Sequence, residues 1–485
     1  MKKSLGMANT KVIAIIGAIL VIAGIAFFAT SKGGATTPMG KLEKAIADLP
    51  VEFENTSEDF SPGFDIAKMN KKIEEDGIYS MDLNLNTDYL KAIGIDKAGV
   101  QLSQKSLPKD KKAQLNLSVS VGNMLAANID FTSIDKELYL NVPSVYEKAF
   151  KLDLSTIGAD LQNDIIKKET GQDMSALKDL KVDLYAVPST VKAMKDEYFT
   201  YVKSEFETLK NNAVVETADL DTKLADSVKE YNSSKSDLEQ LNIQVKSQDV
   251  KALLKKSIDY YEDLQSRQIT GMDLSEVQTQ FDDLKKEIDD EELPEVFTIK
   301  ALLSKDNKLV LLAFDVEEDS NLNLFFVGEK NTTDHIVVTA VNEEDKIDVI
   351  EFKMSTGEKE NEIKVNTFDD MVKISAIYGK DEKSLNMDID TSEDMSLKLQ
   401  GKYEDVKPGV GYNFVIDSLK ADYEGQAIDF KGNILFSLET PTIEVPKDSV
   451  EILKVDKDEL DKIMEKVEEN VKNNYGFLLS MMGIL

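Results

Sequence analysis

Cysteine and tryptophan are absent from this 485-residue chain, and histidine and arginine occur once each, as His335 and Arg267. Without cysteine there is no thiolate nucleophile, no cysteine-based zinc site and no lipid attachment through a lipobox cysteine. One imidazole excludes any triad or metal site that needs two. His335 lies in the strand-like run DHIVVTAV and reads as a sheet-edge residue. G-x-S-x-G, H-E-x-x-H, Walker-type and dinucleotide-binding glycine patterns are also missing. Gly409 and Gly411 in KPGVGY read as hairpin or bulge glycines, not as a phosphate cradle. NMDIDTSED places Asp388, Asp390 and Ser392 at the first calcium-loop positions. Glu393 then stands where glycine is required and Leu399 where the bidentate acid belongs, so the match fails. The chain therefore reads as non-enzymatic, with no catalytic residue, metal or cofactor assigned.

Basic residues are scarce after the N-terminus. Lys2, Lys3, Lys11, Lys32 and Lys41 precede the first acid, Glu43, so the rest of the chain holds all 90 acids against 53 bases and is net −37. Such a surface repels phosphate backbones, which argues against a nucleic-acid partner.

A long apolar run is present once. Residues 12–29, VIAIIGAILVIAGIAFFA, are all apolar or glycine and as a helix would span about 27 Å at about 1.5 Å per residue. That matches a hydrocarbon core of roughly 30 Å and predicts a transmembrane anchor contacting the lipid bilayer. Lys2, Lys3 and Lys11 before it predict a cytoplasmic N-terminus (1–11) and an extracytoplasmic bulk, a single-pass protein of the cell membrane. A signal peptide is the rival reading, with Gly33 and Ala35 offering better cleavage positions than Phe27 and Ala29. The run exceeds the usual core of such peptides, which favours an uncleaved anchor. Residues 30–40, with GGATTP, read as a tether.

Beyond the tether the hydrophobic period changes three times. Residues 41–187 open with the helix-like KLEKAIADL and continue in alternation: LNLSVSV sets Leu115, Leu117, Val119 and Val121 against Asn116, Ser118 and Ser120. Residues 188–294 read as a helical insertion. Its stripes are Val191, Met194, Tyr198, Val202, Phe206, Leu209 and Ala213; Leu220 to Tyr231; Val250 to Leu264; and Val277 to Ile288, the last behind a capping box of Asp273 and Glu276. Residues 295–455 return to period two, with acidic and Asn-rich turns every 10 to 13 residues, and predict an antiparallel meander of about ten strands beside about four upstream. Open sheets of that size roll or split. The expected fold is α+β: a transmembrane helix, then a large rolled antiparallel sheet, half-barrel-like, with helices on its apolar face.

Residues 456–485 close the chain with an amphipathic helix from about Asp456 to Asn474 and the uncharged tail NYGFLLSMMGIL. Burying Phe477, Leu478, Leu479, Met481, Met482, Ile484 and Leu485 is worth about 1.5 to 3 kcal/mol each before ordering is subtracted, so the tail is expected on the sheet's apolar face as a core plug or lid, with the membrane surface or a partner as the alternatives.

The anchored N-terminus, the small helix, the alternating strands with the KELYLNVP hairpin and the helices laid into a sheet resemble half-barrel proteins of the bacterial envelope. Among these are the periplasmic lipoprotein carriers and the lipid-carrying mycobacterial lipoproteins. The chain is also similar to membrane-anchored ectodomain proteins of Gram-positive anaerobes. The resemblance covers 41–187 and 295–475, lacks the lipobox cysteine, and meets a helical cover in 188–294 longer than usual. It implies binding of a lipid or other apolar ligand in a concave face. The second reading is a structural or interaction protein of the envelope whose face is filled by its own tail and helices and whose partner is another envelope protein. The two differ in one observable, an unfilled apolar face.

Overall fold

The structure is a computed structural model that describes residues 37–481 except 61–62, 90, 92–96, 123, 164–173, 186–190, 232–236, 271–273, 292, 318–319, 330–331, 342–345, 368–370, 393–394 and 424. The run 12–29 lies outside the described residues; among them no helix is long and apolar enough to cross a membrane.

The described residues open with α1 (Pro38–Phe60) and α2 (Ile66–Asp76) and a meander of six strands. These are β1 (Tyr79–Thr87), β2 (Ala98–Leu107), β3 (Lys112–Val121), β4 (Met124–Ile134), β5 (Glu137–Asn141) and β6 (Ala149–Asp153). A short α3 (Ile157–Asp160) and β7 (Lys181–Val182) lead to α4 (Val191–Asn212), β8 (Val214–Ala218), α5 (Thr222–Tyr231), β9 (Leu238–Lys246), α6 (Ser247–Gln268), β10 (Ile269–Thr270) and α7 (Ser275–Asp290). A second meander follows: β11 (Val296–Ser304), β12 (Leu309–Glu317), β13 (Ser320–Val327), β14 (His335–Val341), β15 (Lys346–Thr356), β16 (Glu360–Thr367), β17 (Val372–Gly379), β18 (Ser384–Thr391), β19 (Met395–Lys407), β20 (Gly411–Tyr423) and β21 (Gln426–Ser437). The short β22 (Ser449–Glu451) and α8 (Lys457–Met481) end the described chain.

All strands but β7 and β10 join one open sheet of 20, in the spatial order β8-β9, β11 to β21, β1 to β6, β22. Every pairing is antiparallel except β22 against β6. The two meanders are welded where β1 meets β21, Leu83 opposite Ile434. Gly432 makes that junction fit, because a Cβ there would collide with the Asn84 carbonyl.

Register places one apolar row across nine strands: Phe326, Ile336, Phe352, Val365, Ile374, Ile389, Leu397, Ala421 and Ile428. A parallel row continues Tyr403, Phe414, Ile434, Leu83, Leu102, Leu117 and Ile129. This apolar face is covered unevenly. Over β9 and β11 to β13 it is sealed: Leu42, Ile46, Phe206 and Leu253 of α1, α4 and α6 pack on Leu241, Ile243, Ala301 and Leu312, all essentially inaccessible. Beyond β15, Val365, Ile374, Ile389, Leu397, Leu83, Leu102 and Leu117 are only half-buried, and Leu115 and Phe131 are 39% and 42% exposed. On β16 to β21 the opposite face carries exposed charge, including Lys364, Asp388, Lys398 and Lys431, whereas on β1 to β3 it carries half-buried Asn84, Ser103 and Asn116.

Residues 188–294 hold β8 and β9 as well as helices, so the sheet begins inside the stretch that helical stripes dominate. Their apolar side chains alternate too briefly to stand out beside three long helices. Over β11 to β14, α5 covers the second face, with Leu224 and Val228 on Leu302, Val310, Leu311 and Phe325. Burial on both faces explains why LVLLAF is continuously apolar. Helix α1 runs eleven residues past KLEKAIADL, through Pro50, because its second half is clamped. Glu52 Oε2 accepts Thr333 Oγ1 at 2.6 Å and pairs with buried Lys308 Nζ at 3.1 Å, while Thr56 Oγ1 donates to the Thr333 carbonyl. The α7 helix starts behind Leu274, which makes no side-chain cap; Asp273 of the expected capping box lies outside the described residues.

Candidate functional site: an aromatic cavity beneath the second helix

The sequence of α2, IAKMNKKIEED, sets Ile66, Met69 and Ile73 on one stripe at helical spacing. Both its ends are turned in the left-handed region: Asp65, at φ 54, accepts the Lys68 N–H, and Gly77, at φ 62, donates its N–H to the Ile73 carbonyl. Preceding the helix, the Phe64 carbonyl accepts the Gly409 N–H at 2.8 Å from the β19–β20 turn. Gly409 has φ +66 and lies under the Lys68 side chain, so this turn needs glycine both for its backbone and for its clearance.

Under the stripe, the α2-covered ends of β17 to β21 present Tyr378, Leu385, Tyr403, Tyr412 and Phe436. Between these layers is a cavity of about 400 Å³. Phe64, itself buried, meets three of the rings edge-on, with centroids 4.9 Å from Tyr403, 6.0 Å from Tyr412 and 6.2 Å from Tyr378. Tyr403 in turn contacts Tyr412 at 5.2 Å and Phe414 at 4.7 Å. Such tilted and edge-to-face pairs suit the ring quadrupoles. Burial pushes the phenols of Tyr378, Tyr403 and Tyr412 above the ordinary range; for Tyr403 the neighbouring phenols add to it. All three are therefore neutral at physiological pH. The remaining polar group in the lining is the Asn70 amide, and among the described residues no carboxylate or ammonium lines the cavity.

This site was not expected from sequence. Its signals are present, in the Ile66–Met69–Ile73 stripe closed by Gly77 and in tyrosines spaced along three alternating strands, but only register shows that the tyrosines converge. The expected lid or plug residues belong to α8. Phe477, Leu478, Leu479 and Met481 are on its last turns, and their side chains, like residues Met482, Ile484 and Leu485, lie outside the described residues. Preceding them, α8 is fixed to the other end of the sheet. Ile463 packs on Tyr146, Val450 and Val455; Asn470 and Asn474 donate to the Val145 and Ser144 carbonyls; and the Tyr475 hydroxyl bonds Ser144.

Other polar clusters have structural partners. His335 is buried at the start of β14 within the sheet, with Nε2 3.0 Å from Glu351 Oε1, and Asn366 holds the other Glu351 oxygen. A groove of about 310 Å³ beside Tyr201 and Phe281 is rimmed by Asp259, Glu262 and Asp263, and Lys285 bonds Asp259 at 2.6 Å and Glu262 at 2.9 Å. Among the described residues no group of three or more acids or histidines has a metal-holding arrangement. Compared with protein-family profiles, curated proteins and solved structures, the chain has no match.

Proposed function

We propose that this chain is a membrane-anchored, extracytoplasmic, non-enzymatic protein that holds a lipid or a similar apolar ligand on the concave apolar face of a sheet rolled into a half-barrel. The observation that carries the reading is the half-exposed apolar face beyond β15, which runs across β16 to β21 and β1 to β4, while its other side is charged over β16 to β21 and polar, with Asn84, Asn116 and Asn128, over β1 to β4. Large contiguous apolar surface on an otherwise strongly acidic protein is rare without an occupant. A chain that fills its own face, as the structural or interaction protein would, is expected to bury those residues as completely as it buries Leu241 and Ala301.

Rolling is supported by a length argument. Seventeen inter-strand steps separate β9 from β6, about 80 Å along a sheet at about 4.8 Å per step. Helix α6 leaves directly from β9 and has 22 residues, about 33 Å. Its end is tied back to the residue after β6: β10 pairs β7, the Asp183 N–H donates to the Gln268 carbonyl, and the Val182 N–H donates to the Leu154 carbonyl. A flat sheet cannot be spanned so; a curled one can. The anchor at 12–29 and the lysines before it support placement of the ectodomain outside the membrane, next to the lipid it would carry.

Titration of the full chain with the apolar dye N-phenyl-1-naphthylamine tests the reading. Saturable fluorescence that oleate displaces is expected. A flat, non-saturating signal on a protein stripped of bound material contradicts it and favours the filled face.

A further inference from the structure

We infer that the cavity beneath α2 is the covered end of the ligand site and takes the methyl end of an acyl chain; this rests on the lipid-binding reading above. The lining decides the chemistry. It offers apolar side chains, one amide and three phenols held neutral by burial, and among the described residues no cation for a phosphate or carboxylate and no anion for an amine. A charged headgroup placed there would be desolvated without a partner, at a cost of several kcal/mol. Hydrocarbon loses nothing of the kind. The volume, about 400 Å³, is within the range of small-ligand pockets.

Direction follows from the strands. On β19, Tyr403, Leu399, Leu397 and Met395 share the apolar face, running from the α2-covered end to an uncovered one. Their neighbours on β20, Phe414, Leu419, Ala421 and Tyr423, do the same. Phe414 is buried, whereas Met395 and Tyr423 are 50% and 58% exposed. The eight residue steps from Tyr403 to Met395 measure about 26 Å at about 3.3 Å per step, longer than the roughly 15 Å that one leaflet's chains occupy. An acyl chain of that length therefore fits within the run, with its methyl end among the tyrosines and its head directed toward the uncovered Met395 end. Phe64 occupies the innermost place between the three tyrosine rings, where it acts as a fixed wall against which the chain end stops.

The absence of tryptophan makes the test clean, since each introduced indole is a single reporter. Phe436→Trp and, independently, Leu385→Trp report the cavity; Met395→Trp reports the open end. The full chain, kept soluble in amphipol, is titrated with stearic acid brominated next to its methyl end or next to its carboxyl end. Methyl-end bromine is expected to quench both cavity reporters several-fold more than carboxyl-end bromine, and Met395→Trp in the opposite order. Quenching of Met395→Trp alone overturns the cavity assignment while leaving lipid binding on the face intact. Quenching in the reversed order overturns the direction. Absence of quenching at all three reporters, each with wild-type circular dichroism, overturns both the assignment and the reading it rests on.

Discussion

Glu52 and Lys308 are the most deeply buried ion pair described, with side chains 7% and 2% exposed, and they hold the second half of α1 to the loop before β14. Taking two charges out of water is expensive, so the pair is tolerated because Thr333 and the Glu329 and Thr332 carbonyls complete its hydrogen bonds. Glu52→Gln is expected to destabilise the protein by about 3 kcal/mol in urea unfolding, since it strands the ammonium. The double replacement Glu52→Leu with Lys308→Met should cost less than that single change, and a larger loss in the double variant would contradict the account. Asp334, the residue immediately before β14, is set the other way. Burial pushes its carboxyl above the ordinary range, outweighing the pull of its own backbone N–H and of Lys308. A carboxyl with a raised folded-state pKa binds more protons folded than unfolded. Stability therefore falls as pH rises from the ordinary aspartate value through the raised one, and stays reduced above it. Asp334→Asn should raise the urea midpoint at pH 7, and the gap to wild type should close on acidification through that window; a gap independent of pH would refute the burial cause.

At the scale of elements, α2 is an eleven-residue helix held by an apolar stripe and by one backbone hydrogen bond from Gly409. Isolated helices of that length are marginal, so its order depends on the contacts beneath it. Gly409→Ala puts a Cβ against Lys68 at a positive φ, a change worth about 1 kcal/mol or more. Hydrogen exchange over 66–76 should quicken while exchange in β11 and β12 stays as it was; unchanged exchange in α2 would show that the latch does not hold it. How far such elements are legible in sequence depends on period and length. The stripes of α4, α5, α6 and α7 and the alternation of β15 to β21 are plain, because long runs repeat one pattern. Three features are not. Helix α2 is short and dominated by Lys and Glu, and β8 and β9 are interleaved with helices. The weld of β1 to β21 joins residues about 350 apart in the chain, as in the Asn84–Asn433 amide pair, and no local pattern encodes which meander edges meet. The cavity inherits part of that blindness: consecutive hairpins align Tyr378, Tyr403 and Phe436, but Phe64 and α2 come from the far end of the chain and no local pattern brings them there.

For the whole molecule, the account needs a curled sheet and an occupied face. Curling is measurable because the chain has no cysteine, so two introduced thiols carry the only spin labels. Lys246→Cys at the start of α6 and Lys136→Cys in the β4–β5 turn, beside Leu154, should lie within about 45 Å of each other by double electron–electron resonance, against about 75 Å for a flat sheet. Occupancy is the central claim, and native mass spectrometry of the full chain, expressed in a bacterial envelope and released from micelles in the gas phase, tests it most directly. The account predicts a stoichiometric adduct with the mass of one lipid that survives micelle removal, is lost on denaturation, and is weakened by Leu397→Asp on the apolar face. A bare polypeptide mass under conditions that preserve the fold would contradict it.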